Sequence, residues 1–227
     1  MTLASHKHVL FDLDGTLVDT RAAVVECYRR VFREHLDSDF PAPGIPVDEL
    51  FAMRPSELFR SIEPGRVEEL YSAYSGFYPD CTALVKVFPG IREMMMRLIE
   101  DGRKVSLVTN KGLARTLIDL GVADLAPASF ATIVTAEDTV ERKPHPAPIL
   151  FGLARLGTSA ADAVYVGDGP QDILAARAAR MSVIAVAYGF YDRTLLASHH
   201  PDALVADPAE LALRLGVGQR AVSGEVS

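Results

Sequence analysis

Asp12 and Asp14 stand one residue apart at the end of the apolar run Val9-Leu10-Phe11. In an extended chain, residues two apart point the same way, so both carboxyls can face one site. Acids in apolar surroundings need cations or hydrogen-bond donors beside them. Gly15 permits a turn that leads the chain away, and Thr16 adds a hydroxyl. Taken alone, this segment also reads as a strand-to-turn junction in which Asp caps its own backbone. Three further segments follow apolar runs. Val105–Val108 leads into Thr109-Asn110, a hydroxyl and an amide able to bind anionic oxygens. Thr132–Thr135 is followed by Arg142-Lys143-Pro144-His145-Pro146, which presents a cation among prolines. Val164–Val166 leads into Gly167-Asp168-Gly169-Pro170-Gln171-Asp172, with two more acids.

Clustered carboxylates repel unless positive charge sits among them. Oxygen ligands without His or Cys suit a hard cation, and Mg²⁺ best where a phosphate completes its shell. Lys143 would meet the remaining phosphate charge. One carboxylate can attack phosphorus and form an acyl-phosphate, while another gives a proton to the leaving oxygen and later takes one from water. Asp12 and Asp14 are close enough to divide those roles. Other phosphate motifs are excluded. Gly167-x-Gly169 is followed by Asp172 where a dinucleotide fingerprint requires Gly, no Lys precedes Ser or Thr as in a P-loop, and no Gly-x-Ser-x-Gly elbow occurs.

The four segments can meet only if a fold brings the strand ends together. Runs at His8–Phe11, Val105–Val108, Thr132–Thr135, Ala163–Val166, Val183–Val186 and Ala203–Val205 are apolar without alternation, as strands buried on both faces are. Helical segments lie between them: Ile91–Glu100, Leu113–Leu120 ending at Gly121, Pro148–Leu156 ending at Gly157, and Ile173–Arg180 opening after Asp172. The alternation predicts an α/β fold with a doubly wound parallel sheet, whose strand carboxyl ends share one crevice. Residues 20–85 break the alternation with helical patterns alone, Val24, Val25, Tyr28, Val31 and Phe32 on one face, then Val67, Leu70, Tyr71, Tyr74 and Tyr78 on another. The Pro- and Gly-rich connection Phe40–Pro46 separates them. The division expected is a core of residues 1–19 and 86–227 with an inserted helical cap of 20–85, hinged near Val18–Thr20 and Leu84–Val87. Its position over the crevice suits a movable lid; a rigidly packed helical subdomain is the alternative.

The chain of 227 residues has 23 Lys plus Arg against 30 Asp plus Glu, a net charge of −7, which argues against a nucleic-acid partner. No apolar run is long enough for a membrane helix, and the N-terminus lacks the apolar core of a signal peptide. Two cysteines, Cys27 and Cys81, suit reduced thiols in a cytoplasmic protein. Nothing separates a monomer from a homodimer.

In their order and on these strand ends, the four segments resemble those of the haloacid dehalogenase-like hydrolase superfamily, in particular its phosphoglycolate phosphatase-like branch with a helical cap after the first motif. The resemblance spans about Val9 to Leu215. It implies a Rossmann-like core and a Mg²⁺-dependent phosphatase acting on a small phosphorylated metabolite. Asp12 would be nucleophile and metal ligand, and Asp14 general acid/base and a ligand through its carbonyl. Thr109 and Lys143 would hold the phosphoryl group, with Thr16 and Asn110 nearby; Asp168 would bind metal and Asp172 orient its waters. Dehalogenating and phosphonate-cleaving members lack the acid matching Asp14, and the latter use a cap Lys, which residues 20–85 do not contain. Pyrophosphate hydrolysis, phosphosugar isomerisation and a non-catalytic phosphometabolite sensor are the competing readings. Gly169-Pro170 departs from the usual fourth motif, and Arg180 stands where relatives end a helix with Gly. Arg54, in a loop that relatives use for selectivity, could meet a substrate carboxylate or be a plain surface arginine. Tyr188–Tyr191 reads as a cap interface or a simple loop.

Overall fold

The computed structural model describes residues 3–41, 51 and 53–218. Strand β1 (His8–Phe11) opens the chain. The short strand β2 (Val18–Asp19) precedes helices α1 (Arg21–His35), α2 (Pro55–Ile62) and α3 (Val67–Cys81), and β3 (Lys86–Val87) follows them. Then come α4 (Ile91–Glu100), β4 (Lys104–Val108), α5 (Leu113–Val122), β5 (Ile133–Val134) and α6 (Ala147–Leu156). The chain ends with β6 (Ala163–Gly167), α7 (Pro170–Ala178), β7 (Ser182–Val186), α8 (Arg193–Ser198), β8 (Ala203–Val205) and α9 (Pro208–Arg214).

Six strands pair in the order β5-β4-β1-β6-β7-β8, every neighbour parallel. The sheet grows outward from β1 in both directions, so the strand ends around β1 bound a crevice. Alternate residues of each strand point to opposite faces. Val9, Phe11, Val105, Leu107, Val164 and Val166 enter one core, while Leu10, Val108, Tyr165, Val183 and Ala185 enter the other. Helices α4, α5 and α9 cover the first face and α6, α7 and α8 the second, which is the expected doubly wound α/β architecture.

Between β2 and β3 the regular structure among the described residues is all helical, joined by turns and bends. Strands β2 and β3 pair antiparallel, Val18 opposite Val87 and Asp19 opposite Lys86. Tyr28 of α1 packs on Tyr74 of α3 with ring centroids 5.0 Å apart, and on Phe59 of α2 at 5.9 Å. Cys27 and Cys81 are buried free thiols in the same layer. Of the Phe40–Pro46 connection, only Phe40 and Pro41 are among the described residues.

Three helix boundaries differ from the sequence reading. Helix α5 continues through Gly121, and the turn falls instead at Asp124, whose φ is +52°. Helix α7 starts at Pro170, so Asp172 is its third residue and reaches back to the Gly169 N–H at 3.0 Å. Its helical run ends at Ala178, and Arg180 adopts φ +57°, a left-handed conformation that a residue with a Cβ takes up at a cost. The α6 stop is as expected, with Gly157 at φ +63°.

Leu10 is fully buried on the central strand. Leu10→Ala is expected to lower unfolding stability by about 2–5 kcal/mol, read as a shift of the urea midpoint at unchanged slope.

Candidate active site

Register brings the acids together. Phe11 lies opposite Val166, so the acids just beyond the two strands, Asp12 after β1 and Asp168 after β6, leave the sheet side by side. The Asp12 N–H still donates to the Val166 carbonyl at 2.9 Å. On the other flank, the Thr109 N–H donates to the Val134 carbonyl at 2.9 Å, which holds the residue at the end of β4. Gly15 turns the chain with φ +75°, and a Cβ there would overlap the Asp168 carboxylate. Only glycine lets the loop pass so close.

Lys143 is the cation of this cluster. Its buried Nζ lies 2.9 Å from Asp12 Oδ1 and 2.6 Å from Asp172 Oδ1. It also donates to the Tyr165 hydroxyl at 2.8 Å, and that hydroxyl donates to the Val108 carbonyl at 2.7 Å. Asn110 fixes the Lys143 backbone by two reciprocal bonds, Nδ2 to the carbonyl at 2.9 Å and Oδ1 from the N–H at 3.0 Å. One of its two amide hydrogens thus holds the loop, while the residue still lines the cavity. Asp168 Oδ2 accepts from the Phe190 N–H at 2.7 Å.

Oxygens of Asp12, Asp168 and Asp172 lie within 4.8 Å of one another, all buried. Three carboxyls share one ammonium, and Asp12 and Asp168 hold their protons more tightly than free carboxyls do. Burial pushes the Asp12 carboxyl up to about 7, against the pull of Lys143 and with the push of Asp172. Burial, Asp172 and Asp12 hold Asp168 well above the usual carboxylate range. An all-oxygen donor set short of positive charge fits a hard divalent cation. Asp172 already uses Oδ1 on Lys143 and Oδ2 on Gly169, so Asp12 and Asp168 are the better ligands.

Asp14 belongs to a second buried group. Its Oδ1 accepts from Thr20 Oγ1 at 2.5 Å and from Lys111 Nζ at 2.8 Å. Lys111 also donates to the Tyr78 hydroxyl at 2.8 Å and pairs closely with Asp119, which is fully buried on α5. Burial works against ionisation of Asp14, but Lys111 and Thr20 hold its carboxyl below the usual range. The sequence reading missed Lys111 and Asp119 and took Tyr78 only as part of an apolar stripe. The available signal was Asp119, a lone acid between Ile118 and Leu120 on a helix.

Asp12, Asp14, Thr109, Asn110, Lys143 and Asp168 line one cavity of about 340 Å³, roofed by residues of the helical insertion. Arg54 reaches this cavity, half exposed and 3.7 Å from Glu57. Thr16 does not line it; it is wholly buried in the turn beneath. Asp172 also stands behind the wall, against Lys143. Phe190, in the segment read as interface or loop, stacks on Phe51 of the insertion at 4.4 Å. Arg21 lies over both rings, at 5.0 and 5.2 Å, and donates to the Gly189 carbonyl at 3.1 Å.

Residues 9–186 match the family model described as haloacid dehalogenase-like hydrolase. The chain is 31% identical over 216 residues to the pyrophosphatase PpaX of Anoxybacillus flavithermus, covering 93% of this chain and 98% of that protein. It is 29% identical over 222 residues to the phosphoglycolate phosphatase of Yersinia pseudotuberculosis, covering 92% and 93%. Among solved structures, a variant of CbbY from Rhodobacter sphaeroides in complex with xylulose-(1,5)bisphosphate shares the fold, with a TM-score of 0.79, 22% identity and coverage of 91% and 96%.

Removing Lys111 would leave Asp14 and Asp119 facing each other without a cation. Lys111→Met is expected to lower unfolding stability by about 3–5 kcal/mol in denaturant titration, and adding Asp119→Leu to recover part of it. Equal stabilities of the wild type and Lys111→Met would contradict the buried pair.

Proposed function

We propose, for a chain that belongs to the haloacid dehalogenase-like hydrolase family and is a phosphatase of that family, that it hydrolyses a small phosphomonoester through an aspartyl-phosphate on Asp12. The observation that carries this reading is Asp12 itself, a carboxyl on the cavity wall within ion-pair reach of the buried Lys143 and beside Asp14, Thr109 and Asp168.

In this mechanism Lys143 and the Thr109 hydroxyl hold the phosphoryl oxygens. A carboxylate oxygen of Asp12 attacks phosphorus, and the bond from phosphorus to the leaving oxygen breaks. Asp14 gives its proton to that oxygen. Asp14 then takes a proton from water as the water attacks phosphorus, the Asp12–phosphorus bond breaks, and inorganic phosphate leaves. Paired with Lys111, Asp14 is in its ionised form, ready for the second step. An anionic substrate arriving beside it raises its proton affinity and favours the first. Asp12, Asp168 and the Asp14 carbonyl would hold Mg²⁺, which supplies positive charge against the phosphoryl oxygens. Asp172 keeps Lys143 in place.

Residues 20–85 act in this proposal as a cap that moves on the β2–β3 ladder over the core of 1–19 and 86–227. Thr20, next to the ladder, donates to Asp14, so cap position and acid position are mechanically linked. The Phe51–Phe190 contact is the seam that opens for exchange. The proposed setting is the cytoplasm, in keeping with two unpaired buried thiols and with no helix among the described residues long and apolar enough to cross a membrane. A pyrophosphate substrate is the second reading, supported by the similarity to PpaX.

With Mg²⁺ and 4-nitrophenyl phosphate, Asp12→Asn is expected to lose at least about 10³-fold in turnover, and a chelator to abolish it. Equal rates for the wild type and Asp12→Asn would sink the proposal. A second outcome concerns stability. Asp12 titrates at about 7 when folded, against about 3.9 in an unfolded chain. Such a carboxyl binds its proton more tightly in the fold, so its contribution is unpenalised at low pH and weakens the fold as pH rises from about 4 to 7. Mg²⁺ competes for the same oxygens. It should therefore raise Tm more at pH 8 than at pH 5, and the increment should vanish in Asp168→Asn.

A further inference from the structure

Four cationic side chains among the described residues line the cavity, and three are already matched by acids. Lys143 pairs with Asp12 and Asp172, Lys111 with Asp14 and Asp119, and Arg54 lies near Glu57. Arg115 of α5 is different. Among the described residues no carboxylate lies within ion-pair reach of it, and its one hydrogen bond is a long one, 3.4 Å to the Tyr71 hydroxyl. Its guanidinium lies instead over the rings of Tyr71, Tyr74 and Tyr78, at 6.0, 5.7 and 5.6 Å. All three tyrosines belong to α3. The cation is thus held in orientation by the insertion while no carboxylate among the described residues meets its fork of donors.

The position matters for a ligand. Arg115 shares the cavity with Asp14, the proposed proton donor to the leaving oxygen, and is near enough to feel its charge. Arg142 adds to the positive field at this end; burial, Arg54 and Arg115 together hold it below the usual arginine range. A sugar or simple alcohol would leave Arg115 unmatched. A carboxylate or a second phosphoryl group would accept two parallel bonds from its planar fork.

We infer that Arg115 binds a second anionic group on the leaving side of the substrate and thereby selects doubly anionic phosphate compounds over those with an uncharged leaving group. The inference rests on the phosphatase reading of Asp12 given above. It shifts the main selectivity contact from Arg54, which is half exposed and faces Glu57, to a more enclosed arginine on the core.

The test compares kcat/KM with Mg²⁺ for 4-nitrophenyl phosphate, phosphoglycolate and pyrophosphate in the wild type, Arg115→Met, Arg115→Lys and Arg54→Met. The expected result is a selectivity ratio, doubly anionic substrate over aryl phosphate, that falls about 100-fold in Arg115→Met. Arg115→Lys keeps the charge but not the fork, so its ratio should fall by less; it carries the comparison if the Met variant does not fold. Whichever of phosphoglycolate and pyrophosphate loses more identifies the anion as carboxylate or phosphoryl. A ratio unmoved in both Arg115 variants, or lost in Arg54→Met alone, overturns the inference while aryl phosphate turnover leaves the phosphatase reading standing. A wild type inactive on all three substrates removes that reading, and this inference with it.

Discussion

Lys143 places one ammonium between the buried carboxyls of Asp12 and Asp172, with Asp168 beside them. Burying a charge is expensive unless it is matched, and here three acids share one base. The parallel sheet makes this crowding unavoidable. With β1 and β6 paired in register, the acids that follow both strands emerge at one point. The fold meets part of the demand by raising proton affinity at Asp12 and Asp168, and part by donating backbone N–H groups from Gly169 and Phe190. What remains is a cluster of acids short of positive charge, which could hold a hard cation. The proposed binding and chemistry both rest on that imbalance.

The second buried charge group ties the acid of the site to the inserted helices. Asp14 lies on the loop after β1, yet its partners come from three places: Thr20 beside β2, Lys111 after β4, and Tyr78 of α3 through Lys111. A shift of α3 relative to the sheet alters the environment of Asp14. The aromatic seam of Phe51, Phe190 and Arg21 closes the opposite side of the cavity. Arg115, clasped by tyrosines of α3, stands where these two halves meet. The proposed substrate selection, acid placement and cap position would therefore draw on the same few side chains.

Much of this was legible in the chain itself. The unalternating apolar runs marked strands covered on both faces, and the residues just after them marked the crevice: Asp12, Asp14, Thr109, Lys143 and Asp168 all reach it. The insertion was legible because its apolar residues repeat at helical spacing, a local property. Other features depended on where side chains end up. Asn110 looks like an anion donor by type, and its type does not show that one amide hydrogen and its oxygen also fasten the Lys143 backbone. Thr16 looks like a site hydroxyl by proximity, but the Gly15 turn buries it below the cavity.

Lys111 and Arg115 carry no signal in spacing that separates them from surface charges, because Asp14, Tyr78 and the α3 tyrosines that they meet lie far along the chain; Asp119, between two apolar residues, carried a faint one. The sequence by itself determined the strands, the helical insertion and the acids that each strand end would carry, since these follow from residue type and short-range period. Only the tertiary structure decided which cation meets which acid. That depends on strand register and on the rotation of α3 and α5 against the sheet, and a shift of one residue in either would exchange the partners.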